Sequence, residues 1–62
     1  MPVITIEGPP VEDIKQRRDM VEAITTAAAR TYGMAKEKII ILIRENSPDQ
    51  VAVGGELISD RN

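Results

Sequence analysis

An uninterrupted run of five aliphatic residues, 39–43 (IIILI), constrains the fold of this 62-residue chain more than any other feature. If the run is a β-strand, its large apolar side chains lie on both faces of a sheet, because successive side chains alternate between the two faces. A chain this short has room for about one helix, which covers one face. We therefore expect another copy of the chain, or a partner, to cover the other face.

Composition gives a second, independent reason to expect assembly. The chain has no Cys and no His, one Tyr, and neither Phe nor Trp. A disulfide is therefore excluded, and a metal site would have to consist of carboxylates alone. Chains of about 60 residues remove only about 60% of their surface from water and usually need a stabilising cross-link, metal or partner. We predict a homo-oligomer that carries no metal and no other cofactor.

The charge and hydropathy patterns exclude several classes of partner. A net charge of −2 and the presence of a single aromatic side chain argue against nucleic-acid binding, which relies on clustered Lys and Arg and on base stacking. No apolar run approaches the roughly 20 residues of a membrane span, and the first residues do not resemble a secretion signal. We therefore expect a cytoplasmic protein of one domain, residues 1–62, with no membrane partner.

Changes in apolar period predict a β-α-β unit. Residues 3–7 (VITIE) are typical of a strand ended by Gly8, Pro9 and Pro10, and residues 13–32 show the three- and four-residue steps of an amphipathic helix followed by Gly33. The second strand runs from residue 39 to about 45, parallel to the first. Residues 51–53 and the following glycine pair favour a short C-terminal hairpin. The predicted fold class is α+β, and residues 59–62 are expected to fray unless a neighbour holds them.

Most charged side chains are predicted to be solvated. Without His or Cys, the usual bases and thiol nucleophiles are missing, and the serines have no His to activate them. We expect the carboxylates to act as exposed caps and turn residues, namely Glu7, Glu12, Asp13, Glu45 and Glu56. The cations of the first helical turns are likewise expected at the surface, namely Lys15, Arg17 and Arg18.

Pro2 is the one residue with distinctive chemistry. It follows Met1, and chains with a small second residue commonly lose the initiator, which would leave a secondary amine at the start of the first strand. An ordinary α-amino group titrates near about 7.7–8.0, and apolar surroundings or a nearby cation disfavour its protonated form. Such an amine can act as a base at neutral pH. The alternative is that Pro2 simply begins a strand, where its missing N–H has no cost.

Four segments together resemble the short-chain 4-oxalocrotonate tautomerase (2-hydroxymuconate tautomerase) family, including its DmpI-like members. They are residues 1–4 (MPVI), the helix with Met20, Val21 and Ile24, the strand at 39–43, and residues 53–57 (VGGEL). The resemblance implies a β-α-β subunit that assembles as a hexamer, a trimer of dimers, and an amino-terminal proline that serves as general base. It also implies 1,3-keto–enol tautomerisation of small unsaturated 2-hydroxy or 2-oxo acids, with a role in aromatic compound catabolism.

Three positions depart from the pattern of this family. Its two substrate-binding arginines and its active-site aromatic ring fall in register on Glu12, Ile40 and Val51. We place Ile40 and Val51 in the pocket wall. For the missing cations we propose Arg44 and Lys15 as substrate-binding residues; Arg44 lies roughly 13 Å from Ile40 along an extended strand, so it can serve the same pocket only from another subunit.

The sequence thus predicts a tautomerase in which Pro2, after Met1 is removed, moves a proton on a small oxo acid. Two alternatives stay open. One is a non-catalytic oligomeric β-α-β scaffold, which the departures at Glu12, Ile40 and Val51 favour. The other is a different proline-dependent reaction, such as hydration or dehalogenation. Because both arginines are missing, we expect monocarboxylate substrates to compete well with dicarboxylates.

Overall fold

A computed structural model describes residues 1–61 of the chain. It contains one long helix, α1 (Ile14–Tyr32), and four strands, β1 (Val3–Gly8), β2 (Ile40–Glu45), β3 (Ala52–Val53) and β4 (Glu56–Leu57). Short 3-10 helices occupy Lys36–Lys38, Pro48–Gln50 and Ile58–Asp60. No helix in the described part of the chain has the length and apolar character needed to cross a membrane.

Strands β1 and β2 pair in parallel, with Val3 opposite Ile40 and Gly8 opposite Glu45. The predicted β-α-β unit is therefore confirmed. Alternate side chains of the two strands are half-buried on the face that α1 covers, and Ile6, Ile43 and the helical Met20 line one small crevice between helix and sheet. Aliphatic side chains at alternating strand positions and at helical spacing thus form the contact between the two layers.

The opposite face of the sheet is open in the isolated subunit. It carries Val3, Thr5 and Glu7 of β1 beside Ile40, Leu42 and Arg44 of β2. Leu42 is 49% exposed, and none of residues 1–61 is fully buried. This is the exposed aliphatic surface that the run at 39–43 predicts for a single copy.

The ends of α1 and the C-terminal hairpin follow their sequence signals. The Asp13 carboxylate accepts a hydrogen bond from the Lys15 backbone N–H at 2.9 Å, and Gly33 takes the left-handed conformation that ends the helix. Strands β3 and β4 are antiparallel, and both glycines between them have positive φ, 63° and 84°. Two consecutive residues with positive φ are typical of a tight type I′ hairpin turn, so the predicted hairpin is confirmed.

The end of the chain is held more closely than its composition suggests. Ile58–Asp60 forms a 3-10 helix, the Ile58 N–H donates to the Val51 carbonyl at 2.8 Å, and the Arg61 guanidinium bonds the Glu56 carboxylate at 2.9 Å. The expected fraying therefore does not begin at residue 59. Asn62, which belongs to the same prediction, lies outside the described residues.

Candidate functional site

Pro2 lies at the amino end of the sheet, directly before β1. Its carbonyl accepts a hydrogen bond from the Ile40 backbone N–H at 3.1 Å, so two of the predicted site residues are neighbours. Pro2 is half-buried, whereas the preceding Met1 is 86% exposed. The bond that joins Met1 to Pro2 is therefore at the surface of the subunit, and the proline ring is already held at the start of the strand.

A cleft lies at the other end of the sheet. Its volume is about 650 Å³, and it opens between the carboxyl ends of β1 and β2 and the segment that leads into the hairpin. Glu7 and Gly8 form one side of the cleft, while Asn46, Gln50 and Val51 contribute to the rest. Val51, one of the two predicted wall residues, therefore lines a cavity.

One subunit does not bring Pro2 and this cleft together. Pro2 precedes the first residue of β1, and Gly8 at the last position of β1 borders the cleft. The six steps from Pro2 to Gly8 along a strand correspond to about 20 Å. Within a single copy, the candidate base and the candidate wall residue Val51 belong to opposite ends of the sheet.

Arg44 lies at the cleft end of the sheet. It is on the same face as Ile40, as the alternation predicts, and its Nη1 atom is 3.8 Å from Oε1 of Glu7 on the neighbouring strand. Both side chains are largely exposed. Arg44 therefore pairs with Glu7, which lines the cleft, and lies far from the Pro2 of its own subunit.

Lys15 is engaged on the helix surface. Its ammonium group bonds the Asp19 carboxylate at 3.0 Å, one helical turn further along, and the two side chains are 78% and 66% exposed. An exposed i,i+4 pair of this kind is weak and readily exchanged. The structure places Lys15 beside neither Pro2 nor Val51 of the same subunit.

A charged network between α1 and β2 was not predicted. Nη2 of Arg17 donates to both carboxylate oxygens of Glu45 and to the Val11 carbonyl, each at 2.8 Å, while the Val11 N–H donates to Glu45 at 3.3 Å. The Arg17 and Glu45 side chains are only 33% and 24% exposed. The expectations that Arg17 is a solvated surface charge and that Glu45 is a solvated turn residue are therefore wrong.

One signal in the sequence could have identified Arg17. It occupies the apolar stripe of α1, three residues after Ile14 and three before Met20, so its stem faces the sheet. A charge on that stripe needs a partner, since an unpaired buried charge is costly. The partner, Glu45, is 28 positions away and could not be chosen from the helix pattern.

Of the other carboxylates expected in caps and turns, Asp13 is a helix cap, whereas Glu7 and Glu56 lie in strands β1 and β4. Asp13 caps α1, Glu56 pairs with Arg61, and Asp49 accepts a hydrogen bond from the Ser47 hydroxyl in the exposed turn after β2. Within residues 1–61 no three or more acidic side chains converge in a group that could hold a metal ion. Among the described residues that line the cleft, Glu7 is the only titratable one, and Arg44 lies beside it.

Comparison with known proteins gives the class of molecule. A sequence profile described as "Tautomerase enzyme" matches residues 2–61. The chain therefore belongs to the tautomerase family, whose members are isomerases. The match includes the sheet, the helix and the hairpin.

Individual relatives agree with this family over nearly the whole chain. The chain is 37% identical to the 2-hydroxymuconate tautomerase of Bacillus subtilis over 60 residues, 97% of each sequence. The crystal structure of DmpI from Archaeoglobus fulgidus is 44% identical, with a TM-score of 0.84 over 95% of this chain and 100% of that one. A further solved homologue of 4-oxalocrotonate tautomerase, YwhB, is 34% identical, with a TM-score of 0.88 over 98% of this chain and 100% of that one.

Proposed function

We propose that this protein is a tautomerase that uses Pro2, after removal of Met1, as a general base on small unsaturated 2-hydroxy or 2-oxo acids. The amine lone pair takes the hydroxyl proton of the enol as the C=O bond forms. The C=C electron pair then binds the proton at carbon 3, and the amine is regenerated. The observation that carries the proposal is a half-buried Pro2 behind a Met1 that is 86% exposed, in a chain of the tautomerase family.

The active site in this proposal is shared between copies of the chain. Pro2 of one subunit faces the cleft of another, which supplies Val51, while Ile40 stays beside Pro2 as the second wall residue. The separation of about 20 Å between Pro2 and Gly8 supports this arrangement, because no single copy brings the two parts together. The open sheet face and the lack of any fully buried residue among positions 1–61 support the oligomer itself, for which we propose a hexamer.

Arg44 is the better of the two candidate carboxylate-binding cations. It neighbours the cleft through Glu7, whereas Lys15 is directed along the helix toward Asp19. A guanidinium can hold a carboxylate with two parallel hydrogen bonds and can draw electron density toward the 2-oxo oxygen as the enolate develops. We therefore expect Arg44→Gln to lower kcat/KM more than Lys15→Gln.

The base is tested most directly by total chemical synthesis, since a 62-residue chain is within reach of that method. Two versions are prepared, one beginning at Met1 and one beginning at Pro2, and ketonisation of a simple 2-hydroxydienoate is followed by absorbance. The amide nitrogen of a Met1–Pro2 bond has no basic lone pair. The version that begins at Pro2 should therefore be faster by about 10²- to 10⁴-fold, the usual value of general-base assistance.

A Pro2→Ala version without Met1 is the matched control, because it keeps a free terminal amine but loses the secondary amine and its fixed ring. We expect it to retain the oligomer and to fall well below the Pro2 version in rate. Equal rates for all three versions, at the level of buffer alone, would identify a non-catalytic scaffold. Full activity with Met1 in place would eliminate Pro2 as the base.

A further inference from the structure

The residues that line the cleft carry a charge that the proposed role of Pro2 does not explain. Within the described chain, the residues that line the cleft include no Lys and no Arg, and Glu7 is their single ionisable side chain. The remaining polar side chains of the lining are the amides Asn46 and Gln50. Before any second subunit is considered, this cavity carries one negative charge of its own.

Glu7 also pairs with a cation on the neighbouring strand. It lies directly opposite Arg44 in the parallel register, and the guanidinium nitrogen and carboxylate oxygen are 3.8 Å apart. In the isolated subunit both groups are largely exposed, so the pair is weak there and open to competition from another anion. A carboxylate that binds Arg44 beside the cleft would therefore have to displace Glu7 from it.

We propose that Glu7 is a specificity-determining residue that makes the cleft selective for monocarboxylates over dicarboxylates. The inference rests on the proposed function, in that it takes the cleft as the substrate site. Two effects act together. The Glu7 carboxylate repels a second substrate carboxylate, and its pairing with Arg44 occupies the cation that would otherwise bind that group.

The selectivity can be measured by binding, without reliance on catalysis. The probes are sorbate and trans,trans-muconate, two six-carbon dienes that differ in having one or two carboxylates. Their dissociation constants for the chain that begins at Pro2 are determined by ligand-observed NMR at low salt. Wild-type protein should bind sorbate at least as tightly as muconate.

Glu7→Gln is the decisive variant, because it keeps the size of the side chain, removes the charge and releases Arg44. We expect it to raise the affinity for muconate relative to sorbate by about two- to fivefold, within the range of an exposed charge interaction. Glu22→Gln, on the exposed surface of α1 and outside the cleft lining, makes the same change in net charge and should leave the ratio unchanged. The gain should shrink as salt is raised.

The double variant Glu7→Gln/Arg44→Gln separates the two effects. If the freed Arg44 contributes, the double variant should lose much of the gain in muconate affinity. An unchanged muconate-to-sorbate ratio in Glu7→Gln, or an equal change in Glu22→Gln, would overturn the role of Glu7. If the wild-type protein binds neither acid, the cleft is not the substrate site. If the chains that begin at Pro2 and at Met1 react at the same rate, the proposed base is wrong, but the binding selectivity measured here still holds.

Discussion

Replacing Arg17 by Met should destabilise the subunit far more than its place on a charged helix suggests. Met is also a good helix former and is apolar and flexible, so it retains helix propensity and much of the packing of the arginine stem. What is lost is a guanidinium that bonds Glu45 and the Val11 carbonyl, each at 2.8 Å. The change therefore isolates the charged network between α1, β2 and the loop before the helix.

The size of the effect follows from burial. Exposed ion pairs contribute about 0–1 kcal/mol, whereas removal of one partner from a fully buried pair costs about 3–5 kcal/mol. Arg17 and Glu45 are 33% and 24% exposed, between these limits, and Glu45 would keep only the weaker 3.3 Å bond from the Val11 N–H. We expect a loss of about 2 kcal/mol per subunit in the free energy of unfolding.

Lys15→Met is the matched control in the same helix. It makes the same change in charge and introduces the same side chain, but it breaks an exposed pair with Asp19 and should cost only about 0.3–0.5 kcal/mol. Both variants are unfolded in urea and followed by circular dichroism at equal subunit concentration, because the stability of an oligomer depends on concentration. In high salt the Lys15 effect should vanish and the Arg17 effect should persist.

Equal losses of unfolding free energy in Arg17→Met and Lys15→Met would refute the reasoning, since burial would then have no influence on the strength of the ion pair.

A double variant, Arg17→Met with Glu45→Leu, adds a second check. It should be more stable than Arg17→Met alone, because no half-buried carboxylate is left without its partner. A double variant less stable than the single one would show that Glu45 contributes through contacts other than Arg17.

Three further outcomes test the assembly and the local signals. Light scattering during size-exclusion chromatography should give a mass several times 6.8 kDa. Leu42→Lys on the open sheet face should lower this mass, whereas a monomeric wild-type protein at micromolar concentration would contradict the assembly. Gly55→Ala should cost about 1–2 kcal/mol in urea unfolding because φ at that position is 84°, and an unchanged midpoint would mean the turn rearranges freely. Asp13→Ala should cost about 1 kcal/mol through loss of the helix cap, whereas an effect no larger than that of Lys15→Met would show that the cap is replaced.

The local structure of this chain was accessible from its sequence because each element is set by short-range rules. The change from a two-residue to a three- or four-residue apolar period predicts β1 and α1. The glycine pair predicts the hairpin, and both glycines have the positive φ that its turn requires. The alternation along β2 also places Ile40 and Arg44 on one face, as the structure shows. The roles of Pro2, Arg44, Lys15, Ile40 and Val51 remain predictions, since they depend on neighbours that one subunit does not contain.

Local patterns in the sequence predict the order of the helix and strands, the parallel pairing of β1 with β2, and the aliphatic face that a single copy cannot cover. The pairing of charges is seen only in the folded chain, where Arg17 meets Glu45 across 28 positions and Glu7 meets Arg44 across the strand register. The tertiary structure also separates Pro2 from the cleft at Val51. The physical reason is that hydrophobic period and turn chemistry act over a few residues, whereas charge pairing depends on how far apart in space the folded elements place their side chains.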